Sequence, residues 1–132
     1  MNFLLDSDCV IDFLSGKGLG VGRLEKVANE KLFLSVISWT EVEYGIYRLP
    51  NASKRQKSFD GFLKNFGIKI LPIDLDTSSK FIEIKVDLEN KHAPLENFDL
   101  LIAATACINN LTLVTGNLKH FERVEGLKLN AN

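Results

Sequence analysis

The chain has no surplus of either charge. Its 16 Lys and Arg stand against 17 Asp and Glu, for a formal net charge of −1. No global field draws it to nucleic acid or to an anionic membrane, so any polyanion must be held by a local patch or through a metal. Long apolar runs are also missing: the longest, Leu100 to Ile108, is far too short to span a bilayer. The first residues lack a basic region, and Asp6 and Asp8 interrupt their apolar stretch, so no secretory signal is expected. There are only two cysteines, Cys9 and Cys107, without metal-binding or redox spacing. Both sit among apolar residues and read as buried free thiols, which fits a reducing cytoplasm. Repeats, linkers and low-complexity segments are absent. What is present is an ordinary globular composition: 132 residues, 45% hydrophobic, with nine Phe against one Trp and two Tyr. That predicts one domain over residues 1–132 with a core of benzyl and aliphatic groups.

Strand and helix patterns alternate, which favours a mostly parallel sheet covered by helices. Asn2 to Leu5 is a strand buried on both faces, followed by a helix through Val10 to Leu14 capped by Ser7 or Asp8. Gly16, Gly18, Gly20 and Gly22 predict a loop, and their spacing lacks the ending of a phosphate-binding turn. A short helix over Leu24 to Asn29 leads to a strand over Leu32 to Ile37. Ser38-Trp39-Thr40-Glu41 and Ser53 to Gln56 read as capping boxes opening two helices. Behind the second, Phe59, Phe62, Leu63 and Phe66 form a core stripe that Gly67 ends. Ile68 to Ile73, containing Pro72, is an edge strand, and Thr77 to Glu89 is a helix capped by Asp76 or Thr77. A loop through His92 then enters the apolar helix Asn97 to Ile108. The strand Leu111 to Thr115 follows, with a final edge at Leu127 to Leu129.

Three acids fall where such a fold brings groups to one point. Asp6 closes the first strand, Glu41 follows the second, and Asp99 opens the apolar helix. In an open parallel sheet, functional groups collect beyond the carboxyl ends of the strands. Two carboxylates ~5 Å apart repel by roughly 3 kcal/mol at an effective dielectric near 20. Such a cluster implies a cation, a shared proton or a polar mouth open to water, and the cation is the favoured reading. Asp6 is preferred over Asp8, which can act as a cap. Glu41 has a capping role open to it as well. Asp99 is the only charge on a helix that must be largely buried, and a buried carboxylate is costly unless paired or metal-bound.

Taken together, Leu4-Leu5-Asp6-Ser7-Asp8, the segment from Ser38 through Tyr44-Gly45, Phe98-Asp99-Leu100 through Ala106, and Leu113-Val114-Thr115-Gly116-Asn117 through Leu127 resemble a PIN domain. More narrowly, they resemble the VapC toxins of bacterial type II toxin–antitoxin pairs. The resemblance covers essentially the whole chain, and the Asp99 helix and the Thr115 block are its most specific parts. It implies a three-layer α/β/α fold and a Mg²⁺- or Mn²⁺-dependent ribonuclease in the cytoplasm. It also implies a homodimer neutralised by a small VapB-like antitoxin. Asp6, Glu41 and Asp99 match the family's acidic positions and Thr115 its active-site hydroxyl. Asn117 stands near where many PIN domains carry a fourth acid, and Glu96 could supply that charge.

On this reading Asp6 and Asp99 hold the ion, since hard divalent cations prefer oxygen ligands and take few carboxylates. Glu41 orients or deprotonates the attacking water, while Thr115 and Asn117 bond metal waters or phosphate. Lys119, His120 and Arg123 follow the strand Leu111 to Thr115 and are the expected RNA contacts; Lys54, Arg55 and Lys57 read as a solvated helix face. Two other readings stay open. Asp6-Ser7-Asp8-Cys9-Val10 fits the opening of a haloacid-dehalogenase-like phosphotransferase with Asp6 as nucleophile. A catalytically weak module that only binds RNA or protein is the other.

Overall fold

The structure, a computed structural model, describes residues 1–130; Ala131 and Asn132 of the expected domain lie outside the described residues. Five parallel strands run β1 (Asn2–Leu5), β2 (Lys31–Ser35), β3 (Lys69–Leu71), β4 (Thr112–Val114) and β5 (Lys128–Asn130), in the spatial order β3-β2-β1-β4-β5. Between them lie α1 (Ser7–Leu14), α2 (Gly18–Val27), α3 (Val36–Tyr47), α4 (Ala52–Asn65), α5 (Leu75–Asn90), α6 (Asn97–Ile108) and the single turn α7 (Leu118–Phe121). The strand β3, with Pro72 beyond it, is an edge as expected, and so is β5.

Alternation along the central strands divides the core in two. Phe3 and Leu5 of β1 and Val114 of β4 pack with Val10, Leu24, Val42, Phe59 and Phe62 on one face. Leu4 and Leu113 pack with Leu88, Leu100, Ile102, Ala103 and Phe121 on the other. The result is the expected α/β/α sandwich. The Phe59, Phe62 and Phe66 stripe meets Phe13 from α1, with ring centroids 5.2 Å apart for Phe13 and Phe62. At the end of α4, Gly67 takes φ +60°, a left-handed conformation that suits glycine, and its amide donates to the Lys64 carbonyl.

Several local expectations change. The glycine run is not a loop: Gly18, Gly20 and Gly22 lie in α2, where the close approach of α1 requires one of them. A Cβ on Gly20 would stand 2.5 Å from the Asp12 Cβ and 2.8 Å from the Phe13 nitrogen. The helix α1 is capped by Asp6 itself, which accepts from the Ser7 amide, rather than by Ser7 or Asp8. Neither capping box forms: α3 starts at Val36 behind Ser35, and α4 starts behind Asn51 without a side-chain cap. Finally, α5 is capped by Asp74, which accepts from both the amide and the hydroxyl of Thr77.

The two inner glycines of α2 give a test of opposite signs. Gly→Ala in a helix ordinarily stabilises by up to ~1 kcal/mol. That gain is expected for Gly22→Ala, which meets nothing within 4 Å. Gly20→Ala is expected instead to destabilise by roughly 1–3 kcal/mol through overpacking. Urea midpoints of the two variants against the parent check both.

Candidate active site

Because β2 and β3 step one way from β1 while β4 and β5 step the other, the sheet reverses its winding between β1 and β4. Side chains at the carboxyl ends of those two strands face a common crevice, where open α/β sheets bind ligands. The Asp6 amide donates to the Val114 carbonyl at 2.9 Å, locking the two strand ends together. Just beyond, the Thr115 hydroxyl donates to Asp6 Oδ2 at 2.7 Å and accepts from the Asn117 amide at 3.0 Å. Asp6 Oδ1 accepts from the Ser7 amide at 2.8 Å. Both Asp6 and Thr115 are buried.

The Ser7 hydroxyl turns to the next acid. It donates to Glu41 Oε1 at 2.7 Å, while its 3.5 Å approach to Asp6 is long. Glu41 therefore sits in the second turn of α3, held across the crevice rather than folded back on its own helix. The capping role open to it in the sequence is gone, because Ser35 closes that helix start by accepting from the Ile37 amide. Val36 and Ile37 read as strand for their β-branched side chains, yet the chain turns helical at them. Ser38, displaced into the helix, is buried with its hydroxyl unpartnered among the described residues.

Asp99 enters from the first turn of α6, half-buried behind Glu96, which caps with its backbone alone. All three acids are pushed above the ordinary carboxylate range, and in each case burial is the main cause. Asp6 rises to about 6, with Asp8 and Asp99 adding repulsion and the Thr115 and Ser7 hydrogen bonds opposing. Glu41 rises under Asp99 and Asp8, against the Ser7 hydrogen bond. Asp99 is raised further by Glu96 and Asp8 and eased by the neighbouring His120. Asp8, exposed and assigned only a cap from sequence, thus faces the same mouth and acts on all three. The signal for it was the Asp-Ser-Asp triplet itself; the helix start turns Asp8 outward without removing it from the site.

Asn117 does not reach the acids through its side chain; its amide Nδ2 donates to His120 Nδ1 at 2.7 Å. His120 and Arg123 share with Asp99, Glu96 and Asn117 a cleft of about 280 Å³. Arg123 is tied there by its bond to the Pro94 carbonyl at 2.9 Å. Lys119 is exposed on α7 and lies outside that lining. Among the described residues, no three His, Cys, Asp or Glu groups converge tightly enough to enclose an ion by themselves. A hard cation such as Mg²⁺ does not require that, since it keeps several waters and takes one or two carboxylates. An all-oxygen donor set, mutually repelling and partly dry, fits such an ion. Cys9, buried behind the site, has its thiol pushed up to about 12, mainly by burial, so it is no nucleophile or ligand.

The family described as the PIN domain matches residues 3–127. Ribonuclease VapC2 of Rickettsia felis is 31% identical over 98% of this chain and 96% of its own length. The tRNA(fMet)-specific endonuclease VapC of Shigella flexneri is 27% identical, covering 97% of this chain and 96% of its own. Among solved structures, VapBC2 from Rickettsia felis bound to a DNA fragment from its promoter superposes with a TM-score of 0.88 at 28% identity, over 98% of each chain. Among the described residues no helix is long and apolar enough to cross a membrane.

Proposed function

The chain belongs to the PIN domain family, and from that premise we propose that it is a divalent-metal-dependent endoribonuclease acting as the toxin of a type II toxin–antitoxin pair. The observation that carries this reading is the meeting of Asp6, Glu41 and Asp99 around the β1–β4 crevice, each carboxyl driven up by burial and by like charge. A cation relieves that repulsion, and RNA is a substrate whose phosphates bring one. Relatives named as ribonucleases support the same activity. The family match does not favour the phosphotransferase reading, and retention of all three acids argues against a module that only binds.

In this proposal Asp6 and Asp99 hold Mg²⁺ or Mn²⁺. The ion, when bound, polarises the scissile phosphodiester and lowers the pKa of a water. Thr115 keeps Asp6 aimed by its hydroxyl, and Ser7 does the same for Glu41. Glu41, the acid outside the metal pair, orients the attacking water and takes its proton. Asn117 holds the His120 ring through Nδ1, which leaves Nε2 to carry the ring proton as a donor toward substrate. Arg123 and Lys119 add positive charge on that flank. The assay is cleavage of single-stranded RNA with Mg²⁺ and with excess chelator; activity indifferent to the chelator defeats the metal reading.

Partner and assembly rest on different residues. Tyr44, Tyr47 and Leu49 are 64%, 89% and 41% exposed, so they do not fold back onto the Phe59 to Phe66 stripe. Tyr44 instead lies under the Arg48 guanidinium, 5.4 Å from ring centroid to Cζ. Beside them an apolar groove of about 160 Å³ runs between α1, α3 and α4, lined by Ile11, Leu14, Val42, Ile46 and Leu49. Arg55 belongs to this groove rather than to the acidic site. We assign this face to the antitoxin, whose tail would reach the acids with an Arg or Lys and displace the ion; the VapBC2 structure from Rickettsia felis supports such a partner. A single-domain, cytoplasmic homodimer completes the proposal. Light scattering at micromolar concentration is expected to give two copies, and co-expression with a small neighbouring reading frame to restore growth. A strict monomer that is harmless with or without that neighbour defeats the toxin reading and leaves the nuclease standing.

A further inference from the structure

The strand β4 runs directly into Thr115-Gly116-Asn117, and the middle residue carries a guanidinium on its back. A Cβ built on Gly116 would lie 3.1 Å from Arg23 Nη1 and 3.2 Å from both Cζ and Nη2. Near-equal distances to three atoms of one plane mean that the face of the guanidinium, not its edge, covers the glycine. Gly116 is not among the residues with positive φ, so its backbone does not call for glycine. What the missing Cβ provides is a seat for Arg23.

The seated group has nothing to hold. Arg23 is half-buried, yet among the described residues it makes no hydrogen bond and no ion pair. Its five N–H donors, in a planar fork suited to a phosphate or carboxylate, are left open at the edge of the guanidinium. Its position is equally specific. The guanidinium covers Gly116, between Thr115, which bonds Asp6, and Asn117, and its charge is felt by Cys9 on α1, which also feels Asp6. Arg23 therefore stands beside the acidic mouth. Leu24, beside Arg23, packs on one face of the sheet, and Phe121, between His120 and Arg123, packs on the other, so those two cations approach from the opposite side. Cations on both sides of a carboxylate cluster suit a polyanionic strand laid across it, in a protein whose net charge supplies no general attraction.

We propose that Arg23 is a substrate-positioning residue, gripping a phosphate adjacent to the one cleaved, with Gly116 as the seat that fixes its guanidinium. This rests on the ribonuclease reading. A protein carboxylate offered by the antitoxin is the competing occupant of the same fork, and RNA is favoured because the fork adjoins Thr115 and Asn117, on the strand end that carries the reaction.

The test uses the full chain and a short, fluorescently labelled single-stranded RNA, with cleavage kinetics in Mg²⁺ and binding in chelator across a salt series. Arg23→Ala is expected to raise KM about tenfold while kcat changes far less, as loss of a phosphate contact should. The slope of log affinity against log salt should shrink by ~0.7, one phosphate on a single strand. Arg23→Lys should restore the slope but not the full KM, keeping charge without the fork. Gly116→Ala, which displaces only the end of a flexible side chain, should raise KM and leave the slope in place. If Arg23→Ala lowers kcat or melting temperature with KM and slope unchanged, Arg23 only props the turn and the proposal is overturned. Unchanged RNA kinetics with weakened capture of the co-expressed antitoxin overturns it in favour of the carboxylate. A parent protein that neither binds nor cleaves RNA overturns the ribonuclease reading itself, and this inference with it.

Discussion

Asp6→Asn is expected to lose RNA cleavage in Mg²⁺ or Mn²⁺ by at least ~10³-fold, the scale of several kcal/mol of lost transition-state stabilisation. It is also expected to be more stable than the parent at neutral pH without metal. Asn keeps the size of Asp and can still accept from the Ser7 amide and meet the Thr115 hydroxyl. What it removes is the charge that burial, Asp8 and Asp99 oppose. The folded carboxyl titrates at about 6 against 3.8 for the free group, so the folded state holds its proton to higher pH than the unfolded chain does. Below pH 3.8 both states are protonated and Asp6 costs nothing. Between there and about 6, stability falls as pH rises, and above 6 the full penalty, on the order of 3 kcal/mol, remains. Glu41 and Asp99 are raised too and act in the same sense.

The gain from Asp6→Asn should therefore be large at pH 7 to 8 and vanish near pH 4, as read from urea midpoints in chelator. Saturating Mg²⁺ should stabilise the parent, by ~2.7 kcal/mol at about a hundred times its dissociation constant, and not the variant. Asp99→Asn should lose cleavage as well, with a smaller stability gain because Asp99 is only half-buried. A well-folded Asp6→Asn that still cleaves, or one whose stability change ignores pH, removes Asp6 from the metal pair.

These acids were legible because each occupies a position that periodicity locates well. The run Phe3-Leu4-Leu5 can only be a strand buried on both faces, which puts Asp6 at its tip. The apolar run from Leu100 can only be an inner helix, whose predicted bounds Asn97 to Ile108 are those observed. Helix starts were less legible, since capping depends on which of several neighbouring Ser, Asp and Thr side chains the tertiary structure leaves in extended conformation. Ser35, Asp6 and Asp74 won over Ser38, Ser7 and Asp76 for that reason. The glycines of α2 mislead because the residue Gly20 makes room for is Asp12, on another helix. Arg23 was silent for the same cause: nothing local marks an arginine whose partner surface, Gly116, lies at the far end of the chain.

The Glu41→Gln variant is expected to fall in kcat by ~10²-fold, the contribution of a positioned general base, while its melting temperature at neutral pH does not fall and rises modestly as the charge opposed by burial is removed. Stability is spared because Ser35, not residue 41, closes the start of α3, and because Gln retains an oxygen to accept from Ser7. Ser7→Ala supplies the complementary cut, leaving the carboxylate but removing the 2.7 Å hydrogen bond that aims it. Its kcat should fall by roughly tenfold, the value of a charge-assisted hydrogen bond. Because that bond favours the ionised form of Glu41, its loss raises the carboxyl pKa further, and the acidic limb of the pH–rate profile should move to higher pH. If Ser7 acts only through Glu41, the double variant should be no slower than Glu41→Gln alone, a non-additivity that a cycle of four proteins measures directly. Additive losses would give Ser7 its own contact with substrate or metal. A Glu41→Gln enzyme with parental kcat would move the base elsewhere, with Asp8, whose charge reaches all three acids, as the residue to cut next.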